Sequence, residues 1–237
     1  MTLAGKRALV TGASKGIGLG IVEALHAEGV HVVAVARGLS DLEAIGQRLD
    51  EGFEGWAMDA GSDGFLERLD RNPPFDLLVN NLGMARHALL SDTSDEDLDL
   101  VLNVNLRATL RITRHVVSRM QAGASVTTIT SQMAHIGSPK RVVYCATKHA
   151  LEGMTKALAV ELAPQNVRVN SVAPTFVRTP LTAPMLADKD FAQWVESMIP
   201  LGRVAEVEDI AEAVLYLAQA KSVTGHSLRV DGGWTAR

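Results

Sequence analysis

Short, nearly continuous apolar runs alternate along this chain with longer segments in which apolar residues recur every three to four positions. Runs of the first kind suit strands buried on both faces, and segments of the second kind suit helices that cover them. The alternation therefore predicts a parallel sheet with helices on both sides. Seven strands are expected, at residues 7–10, 30–36, 55–58, 77–80, 125–130, 167–172 and 227–230. Helices are expected at 16–28, 40–49, 63–70, 94 to about 120, 143–162 and 206–219. Ser94 with Asp97 makes a capping-box-like start for the fourth of these, and Pro164 lies just past the end of the fifth. One stretch breaks the rhythm. Between Pro174 and Val204, three prolines (Pro180, Pro184, Pro200) are interleaved with Leu181, Met185, Leu186, Phe191, Trp194 and Met198. Such an insert, about 175–204, is too long for an ordinary connection and reads as a lid over a binding site.

Composition narrows the class. The chain has 237 residues, 47% hydrophobic and 21% charged, with no repeat, linker or low-complexity tract, so one α/β domain over 1–237 is expected. A net charge of −4 without a run of Lys and Arg argues against a nucleic-acid surface. Residues 1–10 hold two basic residues and then only Ala8-Leu9-Val10, too little for a signal peptide. No apolar run, the one near 32–36 included, approaches the ~18 residues a membrane span needs, so a cytoplasmic protein without membrane partners is expected. A single cysteine, Cys145, excludes an intrachain disulfide and a thiolate zinc cage, and the seven histidines show no ligand spacing, so no metal is expected.

Chemistry enters in the loop after the first strand, Thr11-Gly12-Ala13-Ser14-Lys15-Gly16-Ile17-Gly18, which runs straight into a helix. Gly12 permits a tight turn, Gly16 lets backbone approach a pyrophosphate, and Gly18 allows close helix–strand packing. The helix N-terminus then offers free N–H groups and a positive dipole end to the anion. At the end of the second strand, where an acid would hold the ribose 2′-hydroxyl of NAD, the chain has Ala36-Arg37, with Lys15 as a second cation. A charge-assisted hydrogen bond contributes about 1.5–3 kcal/mol, so Arg37 favours the 2′-phosphate of NADP(H), with NAD(H) still possible.

Tyr144 and Lys148 lie four residues apart on one helix and share a face. An ordinary tyrosine, with a pKa near 10, is a poor acid/base at neutral pH. Bringing it to about 7 takes about 4 kcal/mol of differential stabilisation, for which a nearby cation is a reasonable source.

Taken in order, the glycine loop, Asp59 after the third strand, Asn80-Asn81-Leu82-Gly83 after the fourth, Asn105, Ser131, Tyr144, Lys148 and Ala173-Pro174-Thr175 resemble the classical short-chain dehydrogenase/reductase family over about residues 6–234. The resemblance implies a Rossmann-type doubly wound parallel sheet and an NAD(P)-dependent oxidoreductase that interconverts a carbonyl and a secondary alcohol. It assigns Tyr144 to proton transfer, Ser131 to hydrogen-bonding the same substrate oxygen, and Lys148 to the nicotinamide ribose and to tuning Tyr144. Asn105, with Asn103 as a nearby rival, would hold a water linking Lys148 to solvent. Cofactor contacts would come from Gly12, Ser14, Lys15, Gly16, Ile17, Gly18, Arg37, Asp59, Asn81, Gly83, Pro174, Val177 and Thr179. Leu82 and Thr175 depart from the family's usual alanine and glycine, and by the resemblance they would reshape the pocket floor.

Met84, Met133, His135, Val142, Met185 and Trp194 are expected near the substrate, a mostly apolar set that leans toward a ketone or aldehyde with a hydrophobic portion. A sugar, a steroid and a 3-oxoacyl thioester remain open. The helix at 143–162 carries small or apolar residues on more than one face, and the family commonly pairs through it, so a homotetramer is expected. Two rival functions stay in view: an NAD-linked polyol or hydroxy-acid dehydrogenase, and a non-catalytic NADP-sensing regulator.

Overall fold

A computed structural model describes residues 2–236; Met1, where the weighed leader segment begins, and Arg237, the end of the expected domain, lie outside the described residues. Seven strands form one parallel sheet in the order β3-β2-β1-β4-β5-β6-β7: β1 Arg7–Thr11, β2 His31–Ala36, β3 Phe53–Ala57, β4 Leu77–Asn80, β5 Ser125–Ile129, β6 Arg168–Pro174 and β7 Ser227–Val230. The helices are α1 Gly16–Ala27, α2 Leu39–Leu49, α3 Asp63–Arg71, α4 Asp95–Leu102, α5 Ala108–Val117, α6 Val142–Leu162, α7 Ala183–Leu186, α8 Lys189–Met198 and α9 Val207–Gln219.

Strand alternation sorts the core into two layers. Ala8, Val10, Val32 and Ala34 pack toward Ile21, Val22, Leu42 and Val214 of α1, α2 and α9. Leu9, Val33, Val35 and Val126 pack on the opposite face toward Phe65, Ile112, Val116 and Ala159 of α3, α5 and α6. With both faces covered, both sides of strands such as β1 and β2 are buried, which is why these two read as nearly continuous apolar runs, while β5 and β6 bury hydrogen-bonded polar residues as well. The strand order reverses between β1 and β4, opening a crevice at their carboxyl ends, where ligands of such sheets bind. None of the described helices is long and apolar enough to cross a membrane.

One expectation changes in detail. The helix expected from 94 to about 120 is α4, a π-helical turn at Asn103–Arg107, and α5. Ser94 does cap α4, accepting from the Asp97 N–H at 3.1 Å. The insert after β6 is packed: Val195, Ile199, Val204 and Trp234 form a small core of their own, and Phe176 sits 5.7 Å from Phe191 and 6.0 Å from Trp234. A parallel bridge from Val177 to Ala205 closes its base.

Candidate active site

The glycine loop is shaped by contacts a side chain would destroy. Gly12 and Gly16 hold left-handed φ values of +63° and +54°. A Cβ on Gly18 would stand 2.2 Å from the Gly12 carbonyl oxygen and 2.5 Å from Asn81 Nδ2. That same amide donates to the Gly12 carbonyl at 3.0 Å, and the Asn81 backbone N–H donates to Thr11 Oγ1 at 3.1 Å, so the β4 turn is stapled to the β1 loop. No described side chain caps α1, and its first turn has no acid. Its leading N–H groups therefore face the crevice without a protein acceptor, the condition for seating a pyrophosphate. Thr179 closes the far side; a Cβ on Gly16 would meet its Cβ at 3.2 Å. Thr182 fixes that threonine by accepting from its N–H at 3.0 Å.

Arg37 is exposed at the end of β2 and has no ion pair among the described residues. Lys15 is less free than its sequence position suggests, because Asp41 holds its ammonium at 3.0 Å. Asp59 is exposed just past β3 and accepts from the Gly61 N–H at 2.9 Å. These residues fit a dinucleotide: glycine turns, an uncapped helix start and one free guanidinium where a 2′-phosphate would lie.

On the other side of the crevice, α6 carries Tyr144 and Lys148 toward β5. Ser131 Oγ accepts from the Met133 N–H at 3.1 Å, so it caps the short turn Gln132–Ala134, and its hydroxyl acts on the Tyr144 phenol to lower its pKa. Lys148 is 3% exposed; its ammonium donates to the Ile129 carbonyl at 2.9 Å and stands 5.6 Å from the Tyr144 ring centroid. Gly83 leaves room for it, since a Cβ there would lie 3.4 Å from Nζ. Burial pushes Lys148 down to about 8, against the pull of Glu152. The phenol departs from expectation. Burial pushes Tyr144 above its ordinary value, and the Ser131 hydrogen bond and the Arg141 charge pull it back only in part. Lys148 is committed to a carbonyl and itself desolvated, so in the protein alone it does not set the phenol's acidity.

The π turn places Asn105, fully buried, behind this pair, while Asn103 is exposed. Asn105 Oδ1 accepts from the Met84 N–H at 2.8 Å, and Nδ2 donates to the Met84 carbonyl at 2.9 Å and to Thr147 Oγ1 at 3.2 Å. Thr147 in turn donates to the Tyr144 carbonyl at 2.7 Å. The side chain thus ties the β4 turn to α6. Single π turns of this kind accumulate at functional sites because they redirect one residue of a helix.

Among the residues expected near substrate, Met133 is buried beside Ser131, and Met84 and Met185 are half-buried. His135 Nε2 is hydrogen-bonded to Ser227 Oγ at 3.0 Å and lies 3.8 Å from Glu152 Oε1, so one ring nitrogen is engaged on the β7 side. Trp194 packs against Phe191 and Trp234 at 5.6 and 5.9 Å and is half-exposed. Sequence reasoning passed over Thr147, Gln132 (buried, with Oε1 lacking a partner) and Glu152. The last had a signal: an acid one helical turn after Lys148, on a face otherwise turned to the sheet.

Fold and site together define a Rossmann-type α/β oxidoreductase. The chain belongs to the short-chain dehydrogenase/reductase family: the family model described as Enoyl-(Acyl carrier protein) reductase matches residues 12–235. It is 41% identical to L-xylulose reductase of Bos taurus over 243 residues, covering 100% of this chain and 99% of the relative. It is 38% identical over 242 residues to Carbonyl reductase [NADPH] 2 of Sus scrofa, with 100% and 99% coverage. Among solved structures, a Beutenbergia cavernae protein assigned as an NAD(P) dependent gluconate 5-dehydrogenase, with bound NADP, superposes with a TM-score of 0.93 at 35% identity, covering 100% and 99%.

Proposed function

We propose that this chain is an NADPH-dependent reductase of a small polyhydroxylated ketone, with Tyr144 as the proton donor. The observation that carries the reading is the convergence of Ser131, Tyr144 and Lys148 at the carboxyl end of β5, beside a glycine loop suited to a pyrophosphate. The cofactor choice is supported by Arg37, unpaired at the end of β2, and by the NADP or NADPH named for two of the similar proteins. The substrate class is supported by relatives named for a ketose and a sugar acid, and it shifts the earlier lean toward a hydrophobic ketone.

Bound NADPH would supply the hydride, held by the glycine loop, Arg37, Asp59, Asn81, Gly83, Thr179 and Lys148. The remaining work belongs to the chain. Tyr144 holds its proton at neutral pH, because burial raises the phenol, and this is the form that gives a proton to a carbonyl oxygen. Ser131 donates to the same oxygen and steadies the charge that develops there. Lys148 replaces part of the lost solvation around the phenol as the proton leaves. The raised phenol favours reduction over oxidation, which needs the phenolate first.

The test is NADPH consumption across ketoses, aldehydes, hydrophobic ketones and 3-oxoacyl thioesters. Short ketoses should turn over fastest, and Tyr144→Phe should lower kcat by about 10²- to 10⁴-fold while NADPH still binds. An active Tyr144→Phe enzyme would sink the mechanism; turnover confined to hydrophobic ketones would sink the substrate class. The assembly reading is a homotetramer, supported by small or apolar residues on the exposed face of α6 (Ala146, Ala150, Gly153, Ala157, and Val160 at 78% exposure). Light scattering at working concentration should give four chains, and a monomer refutes it.

A further inference from the structure

α6 turns three ionisable side chains to the sheet at intervals of one helical turn: Tyr144, Lys148 and Glu152. The proposed reaction uses the first two and has no task for the third, which is 5% exposed. A carboxylate is costly to bury unless its oxygens are matched, and here they are. Thr130 Oγ1 donates to Oε1 at 2.6 Å, Ser227 Oγ to Oε1 at 2.9 Å, and Ser171 Oγ reaches Oε1 at 2.9 Å and Oε2 at 2.8 Å. The donors come from three adjacent strands, Thr130 just past β5, Ser171 within β6 and Ser227 at the start of β7, and His135 Nε2 stands 3.8 Å away.

What this clamp holds is the segment that matters for the site. The two residues before Ser131 are held by α6: Lys148 donates to the Ile129 carbonyl and Glu152 accepts from Thr130. On the far side of Ser131, His135 ends the turn that Ser131 caps and faces the same carboxylate. We propose that Glu152 is a positioning residue of this site, which fastens both flanks of Ser131 and sets a carboxylate one helical turn from Lys148. The inference rests on the reading of Tyr144 and Lys148 above and assigns that pair its counter-charge.

The charges around it are few. On α6 itself lie Tyr144, Lys148, His149 and Lys156; the turn after β5 brings His135, which burial pushes below its usual range; β7 brings Arg229. β5 and β6 contribute the Thr130 and Ser171 hydroxyls, and the π turn meets α6 through the neutral pair Asn105–Thr147. Of the acids of α4, Asp95, Glu96 and Asp99 are exposed and Asp97 is paired with Arg86. Glu152 is thus the acid that bears on Lys148, and it works upward against burial. Removing a negative charge lowers the pKa of any acid beside it, ammonium or phenol alike.

The experiment titrates lysine side chains by carbon NMR in the full-length chain without cofactor, with Lys148 assigned by its loss in Lys148→Arg. In the unaltered chain its midpoint is expected near the value of about 8 that burial sets. Glu152→Gln should lower it by about one pH unit, and Glu152→Asp, which keeps the charge but withdraws it, by less. The alkaline limb of NADPH-dependent reduction should move to lower pH in the same order, whichever of the two protons it reports. A folded Glu152→Gln with an unmoved Lys148 midpoint overturns the proposal. Should that variant fail to fold, Glu152→Asp carries the test, and an unmoved midpoint there overturns it equally. An active Tyr144→Phe enzyme would strike the parent reading while leaving this titration to stand or fall by itself.

Discussion

Replacing Gly18 by alanine isolates one contact on which the cofactor crevice depends. Both Gly18 and Gly64 are helical glycines, and alanine in a helix is intrinsically favoured over glycine by about 1 kcal/mol. At Gly64 in α3 no described atom lies within 4 Å of an added Cβ, so that preference acts alone. Gly64→Ala should therefore stabilise by about 0.5–1 kcal/mol. At Gly18 the new methyl group would sit 2.2 Å from the Gly12 carbonyl oxygen and 2.5 Å from Asn81 Nδ2. Those two groups are hydrogen-bonded to each other and one is backbone, so neither yields cheaply. Overpacking of this kind costs about 1–3 kcal/mol, and the upper end applies where the neighbour cannot move. Subtracting the helical gain leaves a net loss of about 2 kcal/mol, or roughly 4–8 °C in Tm for a chain of this size. Calorimetry on both variants reads the difference directly. NADPH affinity should fall with Gly18→Ala alone, because α1 can relieve the clash only by backing away from the loop. A Gly18→Ala protein as stable as Gly64→Ala would refute the packing argument.

Arg37→Ala should weaken NADPH binding by about 10- to 100-fold and leave NADH binding unchanged, as read by fluorescence titration; equal losses for both would remove Arg37 from the 2′-phosphate. Asn105→Ala would strip partners from the Met84 N–H and carbonyl and from Thr147, so it should cost about 2–4 kcal/mol in urea unfolding. Asn103→Ala, at an exposed position of the same turn, should stay within about 0.5 kcal/mol, and a reversed ranking would reject the assignment of Asn105. Asp209 receives both terminal nitrogens of Arg203 at 2.7 and 2.9 Å and caps α9 at the Glu206 N–H. These bonds hold its carboxyl down to about 2. Its contribution is complete above about pH 4, where the unfolded group is also ionised, and is lost as pH falls from about 4 to 2. Because the pair is partly exposed that contribution is below about 1 kcal/mol, and Asp209→Asn should flatten the acid side of the stability curve by no more than that.

Much of this protein is written locally. The runs at 32–36 and 77–79 read as strands because both faces of a parallel sheet are covered, so apolar residues suit it whichever way they point. Gly12, Gly16 and Gly18 announce the crevice because only glycine meets the backbone demands of that loop, and Tyr144 and Lys148 share a face by helical arithmetic alone. These are properties of a residue and its near neighbours in sequence, so the order of residues determines them.

Tertiary structure decided what depends on partners distant in sequence. The π turn at Asn103–Arg107 is hidden in an ordinary helical pattern, and it appears because Asn105 finds Met84 and Thr147 across the fold. Lys15 reads as a free cation until α2 brings Asp41 to it. Nothing near His135 in sequence announces its partner Ser227, which β7 supplies 92 positions later. The acidity of Tyr144 is the clearest case: sequence offers the cation four residues on, but burial and the direction of the Lys148 ammonium fix the sign. Desolvation and hydrogen bonding act between groups that only the assembled sheet brings together. The sequence by itself therefore determined which chemistry this chain carries, and the fold decided how each group is charged and where it points.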